Sequence, residues 1–151
     1  MEKTCTTDEN CMKTDIDIQK WLYLKIKGSE LQTSVSGILS DRGRPNGSES
    51  EDIVIAVLAN EGAGQIQTAY ANVNVYVKDQ WNDERNAWER DTARVSELCR
   101  LSEFLFNLFG DCFRVSGKDS SQRVIPAGVT FQDGHTEHII NNKLFISISN
   151  E

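Results

Sequence analysis

The residue types that most often carry chemistry are scarce and unfavourably spaced in this sequence. Its four cysteines, Cys5, Cys11, Cys99 and Cys112, include no Cys-x-x-Cys pair, the spacing that zinc sites and redox motifs share. We therefore expect reduced thiols, with Cys99 a small core residue among apolar helix positions. A disulfide between Cys5 and Cys11 stays an alternative for an oxidising environment.

The two histidines, His135 and His138, flank two polar residues just after Asp133-Gly134. Two imidazoles with two nearby carboxylates are compatible with a metal site. On a strand, however, positions 135 and 138 point to opposite faces. Asp133-Gly134 is better explained as a hairpin turn, since glycine accepts a positive φ without steric cost. We expect a turn here and no bound metal.

Sequence motifs of enzymes are missing. The chain has no nucleophile elbow, P-loop, dinucleotide-binding glycines or His-Glu-x-x-His motif. A two-metal nuclease site needs a positioned Lys or His beside its carboxylates, and no such spacing accompanies the acidic residues Asp15, Asp17, Glu51, Asp52, Asp83 and Glu84. We expect a protein without catalytic activity or cofactor, and an acidic nuclease stays the enzymatic alternative.

Composition indicates one acidic domain. The 151 residues include 16 Lys and Arg against 23 Asp and Glu, a net charge of −7, which argues against a protein whose main task is gripping DNA or RNA. The chain has no apolar run of membrane-spanning length and no apolar N-terminal leader. These features predict a soluble intracellular protein with one core.

The pattern of residues predicts the elements that carry these side chains. Residues 1–13 form a polar, flexible tail. A helix capped by Thr14 or Asp15 runs to Gly28, and Ser29 begins a short second turn. A short strand at 38–40 leads to a loop at 41–50.

Two long strands should follow. The apolar run at 53–58 predicts a strand covered on both faces, and the alternation at 65–77 predicts its hairpin partner. A long helix begins at Asn86 or Trp88 and ends at Gly110. The remaining strands are expected at 112–115, at 122–131 with Pro126 on an edge, and around 144–148.

This order predicts an α+β fold. Strands come in adjacent groups that helices do not separate singly. We expect one domain over residues 14–151, with a mostly antiparallel or mixed sheet that contains a long hairpin. The N-terminal helix and the long central helix should pack on that sheet.

Two groups of residues are candidates for protein contacts. Arg42, Arg44 and Pro45 place planar guanidinium groups beside a proline, which suits a contact loop; a solvated or locally paired loop is the alternative. Phe104 and Phe106 widen the apolar stripe of the central helix beyond what one sheet face needs, which suggests a contact between subunits.

The layout resembles the bacteriophage tail terminator and tail-completion (head–tail joining) family, and especially short prophage-type proteins from gut anaerobes. The matching stretches are Gly43-Arg44-Pro45-Asn46, residues 48–55, residues 64–67, residues 71–77, the helix at 93–109 and residues 138–144. They carry no chemistry, so the resemblance is one of pattern and order over residues 15–150.

The resemblance implies a structural virion protein. Such proteins form rings, commonly hexamers, that cap the tail tube, end its polymerisation and contact neck or connector proteins. DNA passes through the ring without specific binding, and a negatively charged lumen would let it slide. The expected location is the neck and tail of the virion, and the host cytoplasm during assembly. Another neck or head-completion protein is an alternative, as is a monomeric acidic inhibitor or binding module.

Overall fold

The computed structural model describes residues 13–63, 66–107 and 113–149. Within these ranges the helices are α1 (Asp15–Ile26), α2 (Glu30–Ser34) and α3 (Thr92–Phe106). The strands are β1 (Leu39–Ser40), β2 (Ile53–Ala63), β3 (Ile66–Lys78), β4 (Gln80–Asn82), β5 (Ala87–Glu89), β6 (Phe113–Thr130) and β7 (Thr136–Ser149). Five strands form a sheet in the order β1-β2-β3-β7-β6, antiparallel except where β1 meets β2. The predicted α+β fold with its long hairpin is confirmed.

The start of α1 follows the predicted capping chemistry. The Thr14 hydroxyl accepts a hydrogen bond from the Asp17 backbone N–H, and the Asp17 carboxylate accepts one from the Thr14 N–H. This reciprocal pair satisfies two backbone donors that the first helical turn leaves without partners. Gly28 follows the helix with φ of 78°, a conformation that glycine adopts without strain.

The core lies between the helices and one face of the sheet. It contains Ile18, Leu22 and Ile26 of α1, alternate residues of β3 and β7, and Val95, Leu98, Leu105 and Phe106 of α3. The predicted alternation in β3 is confirmed, because Val73, Val75 and Val77 are all buried. Removal of these apolar surfaces from water holds the helices on the sheet.

The expectation that β2 is covered on both faces is wrong. Ile53 and Ile55 are buried, but Val54 and Ala56 are only half-buried and Leu58 is 51% exposed. An apolar run does not distinguish a strand between two layers from a strand with one uncovered face. The outer edge of β2 pairs with β1 only at Ile53 and Val54.

Two further element boundaries differ from the sequence prediction. The long helix begins at Thr92, with Asp91 as its cap, and the preceding residues form the small β4–β5 hairpin. In that hairpin Trp81 and Trp88 pack edge to face at 5.6 Å between ring centroids. The two strands predicted at 112–115 and 122–131 are one irregular edge strand, β6, whose register shifts twice against β7. Pro126 lies on that edge, as predicted.

Lys13, the last residue of the predicted tail, packs against the sheet. Lys13 is buried, and its backbone N–H donates to Gln67 Oε1 at 2.9 Å. The predicted tail, from residue 1 to residue 12, lies outside the described residues, as does the predicted helix end at Gly110. Among the helices described here, none is long and apolar enough to cross a membrane.

Candidate functional site

The sheet has one face on which no helix of the described chain packs. We call it the open face. Its side chains, which alternate with those in the core, are Val54 and Ala56 of β2, Thr68, Tyr70, Asn72, Asn74 and Tyr76 of β3, and Ile139, Asn141, Lys143, Phe145 and Ser147 of β7. All except Lys143 are half-buried. A sheet normally buries its apolar side chains against a second layer, so this face is a candidate contact surface.

Rings and amides dominate the middle of the open face. Tyr70 and Phe145, directly opposite each other on β3 and β7, lie 5.1 Å apart between ring centroids, and Lys143 lies over the Tyr70 ring at 4.9 Å. The Asn141 side chain donates to Asn74 Oδ1 at 2.7 Å. Cross-strand pairs of this kind stabilise a sheet and also present flat, amphipathic groups to a partner.

An arginine clamp closes one end of the open face. Arg44, in the loop between β1 and β2, donates from Nε to Asp52 Oδ2 at 2.8 Å and from both terminal nitrogens to the Glu137 carboxylate at 2.8 and 2.7 Å. It also donates to the Ser50 carbonyl, and its guanidinium lies 4.0 Å from the Tyr76 ring centroid. The planar, five-donor guanidinium suits this arrangement in a way that a lysine ammonium does not.

Both carboxylates in the clamp are buried. The side chains of Asp52 and Glu137 are 2% and 1% exposed. Burial alone would raise the pKa of Asp52, but hydrogen bonds from Ser48, Arg44 and the Ile38 backbone hold that pKa below its usual value. The same two carboxylates outweigh the effect of burial on Arg44 and raise its pKa, so Arg44 and Asp52 are both charged at neutral pH.

Asp52 also explains why glycine stands at position 37. A β-carbon at Gly37 would lie 2.2 Å from Asp52 Oδ1 and 2.6 Å from the Glu51 carbonyl oxygen. These contacts leave no room for a side chain. The close approach lets the Ile38 N–H reach Asp52 Oδ1 at 2.9 Å, and so joins the clamp to the start of β1.

The structure divides the predicted contact loop. Arg44 is 15% exposed and bound within its own chain, so the locally paired alternative describes this residue. Arg42 and Pro45 are exposed in the same loop, and their role as a contact stays a prediction.

The two phenylalanines of α3 also differ. Phe104 is 61% exposed, as a contact between subunits requires, whereas Phe106 is 7% exposed and belongs to the core. Little of the Phe106 side chain is thus available to a neighbouring subunit, and the subunit contact of these two residues stays a prediction. The periodicity of α3 could not separate them, because both residues border the buried stripe of one helix.

The predicted turn and the two histidines lie next to the clamp. Asp133-Gly134 forms the turn between β6 and β7, with Gly134 at φ of 93°, as predicted. His135 is buried and stacks on Phe131 at 4.3 Å, and its Nδ1 lies 2.5 Å from Asp133 Oδ1. Hydrogen bonds from the His135 backbone and ring lower the pKa of Asp133.

His138 has a different environment. Its Nδ1 lies 2.7 Å from Asp79 Oδ1, so the two imidazoles have separate carboxylate partners. Across the described ranges no three histidine, cysteine, aspartate or glutamate side chains converge as a metal site requires. These histidines instead fix the turn to the strands.

Sequence reasoning missed a second internal arginine. Arg94 of α3 donates to both oxygens of Glu51 at 2.8 and 2.7 Å and to the Ser34 carbonyl at 2.6 Å. It thereby ties α3 to α2 and to the segment before β2. Arg94 and Glu51 are 43 residues apart, and no local sequence pattern predicts a pair at that separation.

Comparison with known proteins adds no relative. No family model and no curated protein matches this chain.

Proposed function

We propose that this chain is a ring-forming phage tail terminator, a structural virion protein that caps the tail tube, ends its growth and joins it to the neck. The observation that carries the proposal is the open face, a broad half-buried sheet surface on which none of the described helices packs. A neighbouring subunit supplies such a layer, and repetition of that contact around an axis gives a ring.

The helix layer offers a surface for the other side of that contact. Ile16 and Leu24 of α1 are 73% and 59% exposed, and Phe104 of α3 is 61% exposed. These residues lie on the opposite side of the sheet from Tyr70 and Phe145. Two different apolar surfaces on opposite sides of one molecule favour a head-to-tail contact, the type that closes into rings.

The resemblance of residues 15–150 to tail terminators supports the rest of the proposal. From this resemblance we take the partners, which are the tail tube protein and the neck or connector proteins, and the ring, which is commonly a hexamer. The ring is located in the virion neck and assembles in the host cytoplasm. Around a ring, the charge of −7 on each copy is repeated. A negative lumen repels phosphates and so allows DNA to slide.

The decisive experiment is assembly on a tail tube. The purified chain is mixed with the major tail tube protein encoded in the same genome, and tube length is followed by electron microscopy. We expect rings at tube ends and shorter tubes. A chain that stays monomeric at every concentration and leaves tube length unchanged would overturn the proposal and favour a monomeric binding module.

Matched variants locate the contact. Tyr70→Ser on the open face and Phe104→Ser on α3 should each abolish tube capping while the monomer stays folded. Val129→Ser is the control, because Val129 is 53% exposed but lies outside both surfaces. Capping that survives both substitutions would rule out the proposed pairing of surfaces.

A further inference from the structure

A groove runs between helix α3 and edge strand β6, away from the open face and from the arginine clamp. Val95, Ser96, Cys99 and Arg100 line it on the helix side, and Gln122 and Val124 line it on the strand side. Because β6 is the last strand of the sheet, the groove is open along its outer side.

The width of the groove is held by one side chain. Gln122 Nε2 donates to the Cys99 carbonyl at 3.1 Å and to Asn142 Oδ1 at 2.8 Å, so it joins β6, α3 and β7. Asn142 is itself buried and donates to the Val73 carbonyl at 3.1 Å. The floor of the groove is therefore built and fixed without a partner.

The strand beside the groove has a short stretch of regular pairing. From Ser121 to Pro126 each residue of β6 is paired in sequence with β7, and the register shifts on both sides of this stretch. The opposite edge of these residues has no strand partner in the described chain. An edge of this length accepts about five residues of an added strand, with Pro126 as its end because proline offers no N–H.

The groove has charges that select its partner. Arg90 and Arg100 are exposed at its rim, neither forms an ion pair with a described residue, and Glu103 is the one carboxylate among the residues that line it. Val95, Cys99 and Val124 supply an apolar floor. The chain as a whole has a net charge of −7, but the rim of this groove is positively charged and its floor is apolar. The groove therefore attracts negatively charged segments.

We infer that this groove binds an extended acidic peptide segment of another protein, which adds to the edge of β6 as a sixth strand. Side chains of a strand alternate between two faces, so recognition falls to those on the helix side. Small apolar residues there face Val95, Cys99 and Val124, and acidic residues beside them on the same face reach Arg90 and Arg100. The inference does not depend on ring formation, because it uses neither the open face nor Phe104.

The test uses the full chain and a fluorescein-labelled octapeptide, Ser-Glu-Ser-Val-Ser-Val-Ser-Glu, whose glutamates and valines share one face of the strand. We expect saturable binding, with slower amide exchange confined to residues 121–125 of β6. The same peptide with lysine in place of glutamate should not bind. The glutamate peptide with every backbone nitrogen methylated cannot pair with the edge, so it should also fail.

Variants separate the groove from general charge effects. Arg90→Glu combined with Arg100→Glu should weaken binding by about tenfold or more, whereas Arg42→Glu, which changes an exposed arginine elsewhere, should leave binding unchanged. All three positions are exposed, so the variants are expected to fold, and circular dichroism checks this.

Cys99 provides an independent readout. Burial, together with Glu103, raises the pKa of its thiol, so alkylation of Cys99 is slow, and an occupied groove should slow it further. Peptide mapping by mass spectrometry identifies this cysteine among the four. No saturable binding up to about 1 mM, equal binding of the lysine peptide, or self-association of the chain that the double variant abolishes would each overturn the inference.

Discussion

The two faces of the sheet are stabilised by different physics, although they are made by alternate residues of the same strands. The helix-covered face is apolar, and Ile140, Leu144, Ile146 and Ile148 of β7 are at most 3% exposed. The open face carries rings and amides in its middle and buried charges at one end. Adjacent residues such as Phe145 and Ile146 therefore have different surroundings and should respond differently to the same change.

The difference indicates that the helix-covered face stabilises the monomer, whereas the open face offers surface to a partner. Burial of apolar side chains under helices contributes to the monomer alone. Half-buried rings on the open face gain further burial only when another layer arrives. The arginine clamp belongs to the first group despite its position, because its three charged members already satisfy one another.

The largest expected effect comes from breaking the clamp. Arg44→Ala leaves the buried Asp52 and Glu137 carboxylates without their cation and should lower the free energy of unfolding by about 3–5 kcal/mol. Urea denaturation measures this. Adding Glu137→Gln to Arg44→Ala should restore part of the loss, and Arg42→Ala should change stability by less than about 0.5 kcal/mol. If Arg42→Ala and Arg44→Ala lower the free energy of unfolding equally, the pairing of Arg44 with Asp52 and Glu137 does not contribute specially to stability.

The contrast between the two faces is tested by neighbouring residues of β7. Ile146→Ala creates a cavity in the core and should cost about 3 kcal/mol of unfolding free energy. Phe145→Ala removes a half-buried ring and should cost the monomer about 1 kcal/mol. Thermal and urea unfolding measure both. If the two losses are equal in the monomer, the open face is as well packed as the core and needs no partner.

The second internal arginine should have a smaller effect than the first. Arg94→Ala removes the bidentate pair with Glu51, but Arg94 and Glu51 are 25% and 16% exposed, so water replaces much of what is lost. We expect a decrease of about 1 kcal/mol in unfolding free energy. Glu97→Ala is the matched control, since Glu97 is 52% exposed beside the same arginine and should cost less. A loss as large as that of Arg44→Ala would contradict this ranking.

Acid should weaken the clamp before it weakens the apolar core. Because the pKa of Asp52 is lower in the folded chain than in the unfolded one, the unfolded chain binds the proton first as pH falls. The contribution of Asp52 is therefore complete above about pH 4, the ordinary range of a free aspartate, and is lost as pH falls through the lowered value.

Urea midpoints between pH 7 and pH 3 measure this effect. The wild-type chain should lose stability below about pH 4, and Asp52→Asn should lose less over the same range because it has no carboxylate to protonate. Asp119→Asn, a change at an exposed aspartate, should follow the wild-type curve. An Asp52→Asn curve parallel to the wild type would show that this carboxylate does not contribute to the acid sensitivity.

Local signals explain which predictions from the sequence succeeded. The Thr14 cap, Gly28, the alternation of β3 and the Asp133-Gly134 turn each depend on a few neighbouring residues, so they were found from the sequence. The predicted start of α3 is too early, because residues 80–89 form the β4–β5 hairpin instead. That hairpin depends on the contact between Trp81 and Trp88, which helix periodicity does not reveal. The uncovered side of β2 and the continuity of β6 likewise depend on which neighbours are present.

The sequence predicts only part of the candidate site. The sequence predicts Arg42, Arg44 and Pro45 as one contact loop, but Arg44 points inward because Glu137, 93 residues away, completes its hydrogen bonds. Phe104 and Phe106 were grouped by helix periodicity and separated by burial. The groove between α3 and β6 had no sequence signal, since it is formed by residues from two elements far apart in the chain.

The sequence by itself determined the α+β class, the position of most elements and the negative charge, because these follow from short-range periodicity, capping and composition. Only the tertiary structure decided which arginine is bound internally and which is exposed, which phenylalanine is buried, and which sheet face the described helices leave uncovered. Those outcomes depend on burial and on charge pairs between distant residues, and both arise only when the strands come together.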